Sequence, residues 1–504
     1  MNYIKLLFAI GCATLSMNLI GQPEKLERIA SEYAQKSWGQ FFELLSLPND
    51  AHNPADIEQN MQWCEAAFSE RGFKTQRLTT QRLPLLLAQR SSKKADKTVL
   101  IYLQLDGQPV DSSFWNQDSP WKPALKTKQT DGSWREIDSQ ILEQEYDPEW
   151  RIFARSTSDA KGPVAMFLAA LDAAKAHKIE PNYNIKIIMD FEEELGSPPL
   201  PAAVLKYQEE LSADMLIIFD GPRHISNEPT LTFGARGIAT ITLTVFGPRK
   251  AQHSGHYGNY APNPAWKLSH LLSTMKDEMG RVVIPGFYDG ISLSEEVREI
   301  LSRVPDDEQM IQKSIGIAAI DQVGHNYQEA IQYPSLNVRG MSAGWVGDKA
   351  RTIIPENATA EIDVRLVLEN DPERQISLIR KHIEQQGYYI TQGSPTESDR
   401  MKYPKIVSFD YEVSYKAYRT DFDAEVGVWL TKALESAFGK TPIRIRTSGG
   451  SIPISPFVNT LGIPAVTVPT VNRDNNQHSP NENIRLGNYV DGIRTFLAIL
   501  AEEL

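Results

Sequence analysis

Three apolar runs, each ending in an acid, constrain what this chain can fold into. TVLIYLQLD (98–106), YNIKIIMDF (183–191) and ADMLIIFD (213–220) have the length and composition of buried strands. GPVAMFLAALDAAKAHK (162–178), with helical spacing and good helix formers, lies between the first two. Strands alternating with a helix predict a parallel or mixed α/β sheet. Ligands gather beyond the carboxyl ends of the strands in such sheets. Asp106, the acids at 192–194 and Asp220 all fall at those ends.

A chain of 504 residues is too long for one core and predicts two or more domains. Amphipathic helices are expected at 25–46 and 55–71, and the polar stretch 112–150 reads as an excursion over the surface. After TLTFGARG the texture changes. IATITLTVFG (238–247) and ATAEIDVRLVL (358–368) alternate like half-exposed strands, and helical patterns follow at 264–278 and 372–387. A long charged segment, 286–330, lies between them. This is the pattern of a small α+β sandwich, residues 234–416, inserted between two parts of the first domain, 22–233 and 417–504. A final helix is expected at 487–503.

Residues 1–21 read as a signal peptide, with Lys5 ahead of the apolar run 6–20, and imply an exported protein, periplasmic or secreted. The run is too short and too polar for a permanent span, and no later segment reaches membrane-spanning length. Cys12 after Gly11 raises lipid attachment as an alternative. A net charge of −12 argues against a nucleic-acid partner. Cys12 and Cys64 are the only cysteines, so once the leader is removed there is no disulfide framework and no Cys-based zinc site. Cys64 reads as a small buried apolar residue. Any metal must be held by His and carboxylates.

Four segments carry such groups: YLQLDGQPVD (102–111), RSTSDAKGP (155–163), FEEELGSP (191–198) with IFDG (218–221) behind it, and NQHSPNEN (476–483). Taken singly, each has an ordinary reading. Three consecutive Glu are a solvated face; Asp159 is an acid at a helix N-terminus; Asp220 is a turn residue; His478 is a solvated loop histidine. No GxSxG elbow, HExxH helix or Walker loop is present.

In order and flanks, the segments resemble the two-metal hydrolases of the M20 peptidase family, from about residue 25 to the C-terminus. The resemblance implies a phosphorylase/hydrolase-like catalytic domain with an inserted ferredoxin-like lid that dimerises. It implies Glu193 as general base, Asp159 bridging two metals, Glu194 and His478 completing one site, and Asp220 completing the other. The family's His-x-Asp is here Gln104-Leu105-Asp106. Either the Gln104 amide oxygen faces the metal while its NH₂ donates to Asp106, or that second site is weak or empty. Zinc is expected at one tight site, with manganese or cobalt as alternatives. AQHSGHYG (251–258) implies His253 as an oxyanion donor; 349–367 implies Thr352 and Arg365 on substrate; SGGSIPI (448–454) implies Gly450 and Ser451 around a substrate carboxylate. The Arg expected two residues before the Gly pair is Thr447, which leaves carboxylate recognition open. The implied activity is hydrolysis of dipeptides or short peptides. Hydrolysis of N-acyl amino acids, or peptide binding by a catalytically impaired relative, stand as alternatives.

Overall fold

The computed structural model describes residues 23–504. The leader expected at 1–21, with Cys12, lies outside the described residues. The chain forms two compact units. One runs to Gly234 and takes in Arg419–Arg446 and Pro453–Leu504; the other is Ala235–Tyr418 with Thr447–Ile452.

The first unit is built on an eight-stranded mixed sheet in the order Lys74–Leu78, Leu85–Arg90, Asn184–Asp190, Thr98–Gln104, Met215–Ile218, Ala465–Thr467, Thr230–Thr232, Ile443–Ile445. The three acid-ended runs are neighbours at its centre, mutually parallel, and their side chains are almost all buried. Helix Lys161–Ala176 packs with Pro23–Leu45 and Leu486–Ala501, and Leu486–Ala501 also packs with Glu425–Phe438. Apolar faces of these helices and of the sheet form one continuous core. Cys64 lies in it, fully buried and unpaired. Helix Pro54–Glu70 starts where Asn53 accepts the Ala55 N–H and Pro54 supplies a preset φ. Among the described residues, no helix is long and apolar enough to cross a membrane.

The stretch 112–150 differs from expectation. It contributes strands Ala124–Lys128 and Trp134–Glu136 to a four-stranded sheet completed by Arg151–Phe153 and Asn483–Arg485. Its charged side chains take part in the packing, since Lys126 lies over the Phe153 ring and Arg151 over Trp134. Asn483 pairs with Phe153 and Arg485 with Arg151, which ties the segment before Asp159 to the segment after His478.

The second unit has a five-stranded sheet in the order Ser335–Ser342, Asn357–Leu366, Gly237–Phe246, Ile406–Tyr415, Tyr389–Thr391. Leaving out the short last strand, the chain runs β-α-β-β-α-β and the sheet order is that of a ferredoxin-like sandwich. Strand Gly237–Phe246 alternates strictly between buried and half-buried residues, as its sequence predicts. Its buried face meets helices Pro264–Ser273 and Pro372–Gln385. The first of these ends at Ser273, shorter than the 264–278 pattern, because Thr274 caps it. The charged stretch 286–330 includes the short helices Glu295–Ser302, Glu308–Ile315 and Tyr327–Ala330.

Candidate active site

Asp159, Glu194 and His478 converge at the carboxyl end of the first unit's sheet. Their ligand atoms lie within 4.8 Å of one another. His478 Nε2 is 3.0 Å from Asp159 Oδ2 and 3.2 Å from Glu194 Oε2. His478 adopts a left-handed φ of 61°, and Asn476 and Asn481 on either side do the same. His and Asn tolerate that region better than most residues.

Asp159 reaches this point through a tightly packed turn ahead of helix Lys161–Ala176. A Cβ on Gly162 would meet the Thr157 carbonyl oxygen at 2.3 Å, so only glycine allows that approach. Glu482, wholly buried, holds the turn. Its Oε1 accepts the N–H of Ser158 at 2.9 Å and of Asp159 at 3.0 Å; its Oε2 accepts Ser156 N–H at 2.9 Å and Arg155 Nη1 at 2.8 Å. Asn49 adds a further tie, donating to Leu105 O and Ser156 Oγ.

Glu193–Leu195, just past the end of its strand, is one turn of 3₁₀ helix. Asp106 fixes it, accepting the N–H groups of Glu193 and Glu194, each at 3.0 Å. This corrects the role expected for Asp106, which was to orient residue 104. Its oxygens receive these backbone donors, and the Gln104 NH₂ donates instead to Asp159 Oδ1 at 2.9 Å. Gln104 is 2% exposed, and its Oε1 has no hydrogen-bond partner among the described residues. Glu192, the remaining acid of the triplet, pairs with Arg82 at 2.6 Å and accepts Leu83 N–H.

Burial raises three acids here, Glu193, Glu194 and Asp220. Glu193 is pushed well above the ordinary carboxylate range by burial and then by Asp220. Glu194 rises to about 8 and Asp220 to about 7, from burial and then from Asp159. His478 is raised to about 9, chiefly by its hydrogen bond to Asp159. Carboxylates so placed ionise together only beside a cation. A ligand set of one imidazole and two carboxylates fits a divalent metal such as zinc.

The remaining expected site residues belong to the second unit. His253 Nδ1 accepts the Gly255 N–H at 3.0 Å, which leaves Nε2 as the ring nitrogen free to donate. Its strand pairs with Ile353–Ile354, and Ser254 N–H donates to Thr352 O, so His253 and Thr352 are neighbours. Arg365 Nη1 donates to Ser451 Oγ at 3.0 Å, beside Gly450.

Three residues of the two sites escaped the sequence reading. Gln108 donates to Glu194 Oε2 at 2.8 Å. Glu482 closes the Asp159 turn. Arg236 grips the Gly449 carbonyl through Nε at 3.1 Å and Nη2 at 3.0 Å. Gln108 and Glu482 lie inside segments singled out for other residues, and Arg236 lies where the pattern of the chain changes. The available signal was a polar side chain beside a candidate ligand or at the exit of a buried strand.

A helix-covered mixed sheet with this acid and imidazole cluster at its carboxyl edge, and an inserted ferredoxin-like unit, defines a metallohydrolase architecture. Residues 126–502 match Peptidase family M20/M25/M40, and the chain belongs to that family. It is a metallopeptidase. It is similar to the Cys-Gly metallodipeptidase dug1 of Schizosaccharomyces pombe, with 27% identity over 428 residues, 83% of this chain and 82% of that one. Human Beta-Ala-His dipeptidase is 26% identical over 429 residues, 83% of this chain and 77% of that one. Among solved structures, the M20 family metallo-carboxypeptidase Sso-CP2 from Sulfolobus solfataricus superposes with a TM-score of 0.75 at 27% identity, covering 92% of this chain and 98% of that one. The expectation of an exported protein, periplasmic or secreted, is corrected by these relatives, since enzymes such as DUG1 are intracellular or cytosolic.

Proposed function

We propose that this protein hydrolyses dipeptides or short peptides, with zinc held by Asp159, Glu194 and His478 and Glu193 as general base. The observation that carries the reading is the convergence of those three ligand atoms within 4.8 Å, with Glu193 adjacent in the chain to one of them. The names of the similar proteins, a Cys-Gly and a Beta-Ala-His dipeptidase, support the substrate class over N-acyl amino acids.

A divalent cation bound there would polarise a scissile carbonyl and lower the pKa of its bound water toward ~7. The rest falls to the chain's own groups. Glu193, raised by burial, is suited to take a proton from water and return it to the leaving amine. Asp106 keeps Glu193 and Glu194 in register by accepting both backbone N–H groups. His253, with its Nε2 free to donate, is the donor for the developing oxyanion; Thr352 binds beside it. Arg365, Gly450 and Ser451 receive the substrate carboxylate. The reading includes a homodimer, supported by Met341, Trp345 and Val346, exposed on and just beyond the edge strand of the second unit.

A panel of dipeptides against the zinc-loaded protein tests this, together with Glu193→Gln. The variant is expected to bind zinc normally and to lose about 10²–10⁴ in kcat. Zinc bound without turnover of any peptide would establish the impaired, peptide-binding alternative.

A further inference from the structure

The His253 ring is fixed from two directions. Its Nδ1 accepts the Gly255 N–H at 3.0 Å, which caps the one-turn helix Ser254–Tyr257. One hydrogen bond fixes an edge of the ring and leaves its plane free to swing about that contact. The second constraint is His256, three residues on and on the same side of the turn. Its ring lies against that of His253, with centroids 4.7 Å apart and planes 30° from parallel. Both side chains are exposed, so burial in a core does not force the two rings together. Gly255 between them leaves the space that His253 uses. A Cβ there would stand 3.0 Å from His253 Cε1 and 3.1 Å from its Nδ1, close enough to shift the ring. Edge contact and face contact together set the direction of Nε2, the nitrogen free to donate.

We propose that His256 is a positioning residue for the reaction: its ring holds the plane of His253, so that Nε2 is aimed where the oxyanion develops. The proposal rests on the reading of His253 as the oxyanion donor. A donor lowers the barrier only where its N–H is already directed at the developing charge. Removing such a donor costs about 10²–10³ in kcat, and misaiming it costs a part of that. The flat face of His256 does this work and not its nitrogens, so another aromatic ring at 256 serves as well.

The test is a cycle of variants in the full zinc-loaded chain, read by kcat and KM on a dipeptide that the wild type turns over. His253→Ala should lower kcat by about 10²–10³-fold. His256→Ala should lower kcat about tenfold with KM within about twofold of wild type. His256→Phe, which keeps a flat ring, should restore kcat to within about threefold of wild type. In the His253→Ala background, His256→Ala should cost nothing further, a non-additivity that a merely structural role would not produce. Full kcat in His256→Ala, a loss that His256→Phe does not restore, or a loss that persists undiminished in the His253→Ala background would overturn the proposal and leave the assignment of His253 intact. Full kcat in His253→Ala would overturn that assignment and the proposal with it. Absence of any dipeptide turnover by the zinc-loaded wild type would sink the peptidase reading and this proposal together.

Discussion

Replacing Glu482 by Gln exchanges one oxygen of a carboxylate that receives four donors. Oε1 takes the Ser158 and Asp159 N–H groups, and Oε2 takes Ser156 N–H and Arg155 Nη1. An amide keeps one acceptor and sets an NH₂ against two donors at the other position. Arg155, 3% exposed, also loses its anion. Breaking a buried ion pair by removing one partner costs about 3–5 kcal/mol, and an isosteric amide that keeps one acceptor should fall near the low end, about 3 kcal/mol. The larger interest is in metal affinity. Three of the four donors belong to the turn that presents Asp159, and Glu482 itself lies four residues after His478. Loosening it disturbs two of the three ligands. Loss of such outer partners typically lowers metal affinity by about 10–100-fold, equivalent to ~1.4–2.8 kcal/mol. Denaturant unfolding of the metal-free protein measures the first effect; competition for Zn²⁺ with a chelating dye measures the second. Glu482→Asp, which keeps the charge, should recover part of both. If Glu482→Gln is destabilised but holds zinc within about twofold of wild type, the turn does not set ligand geometry and the argument fails.

The metal-free protein should lose stability as pH rises. His478, Glu194 and Asp220 all have folded values above their ordinary ones. The favourable contribution of His478⁺ is complete below ~6.5 and is lost as pH passes about 9. The two acids cost stability progressively as pH rises from the ordinary carboxylate range to about 7 and 8, and the cost is constant above that. Chelator-treated protein should therefore melt at falling temperatures between pH 6 and 9, whereas zinc-loaded protein should not; parallel curves with and without zinc would refute the linkage. Arg236→Lys replaces a two-pronged grip on the Gly449 carbonyl with a single donor. It should raise KM for dipeptides about tenfold with kcat within about twofold, since the loop it positions is assigned to binding. A kcat loss at constant KM would place Arg236 elsewhere in the mechanism.

What the sequence disclosed, and what it withheld, follows from the range of the interactions involved. The acid-ended strands were legible because a buried parallel strand announces itself by local composition, and the carboxyl-end rule then places Asp106 and Asp220 without further information. The inserted α+β unit was legible for the same reason, since its strands alternate cleanly, while its ferredoxin-like order was implied only by the family resemblance. The four-stranded sheet was not. Arg151 and Asn483, which bond to each other within it, lie 332 residues apart, and nothing in the polar stretch 112–150 reveals a partner so distant. Glu482 was hidden by the same long-range pairing, because an acid in a polar loop looks solvated until the Arg155 turn folds over it. Asp106 shows a subtler limit. Its residue type and position were informative, but its two oxygens can serve only a few donors. Which donors they serve was decided by the 3₁₀ turn at Glu193–Leu195, a conformation that the run of three glutamates does not dictate. The Gln104 amide donates to Asp159 instead, and its oxygen is left buried without a hydrogen-bond partner among the described residues. The departure visible in the sequence at residue 104 therefore gained a structural context only through contacts that the sequence does not display.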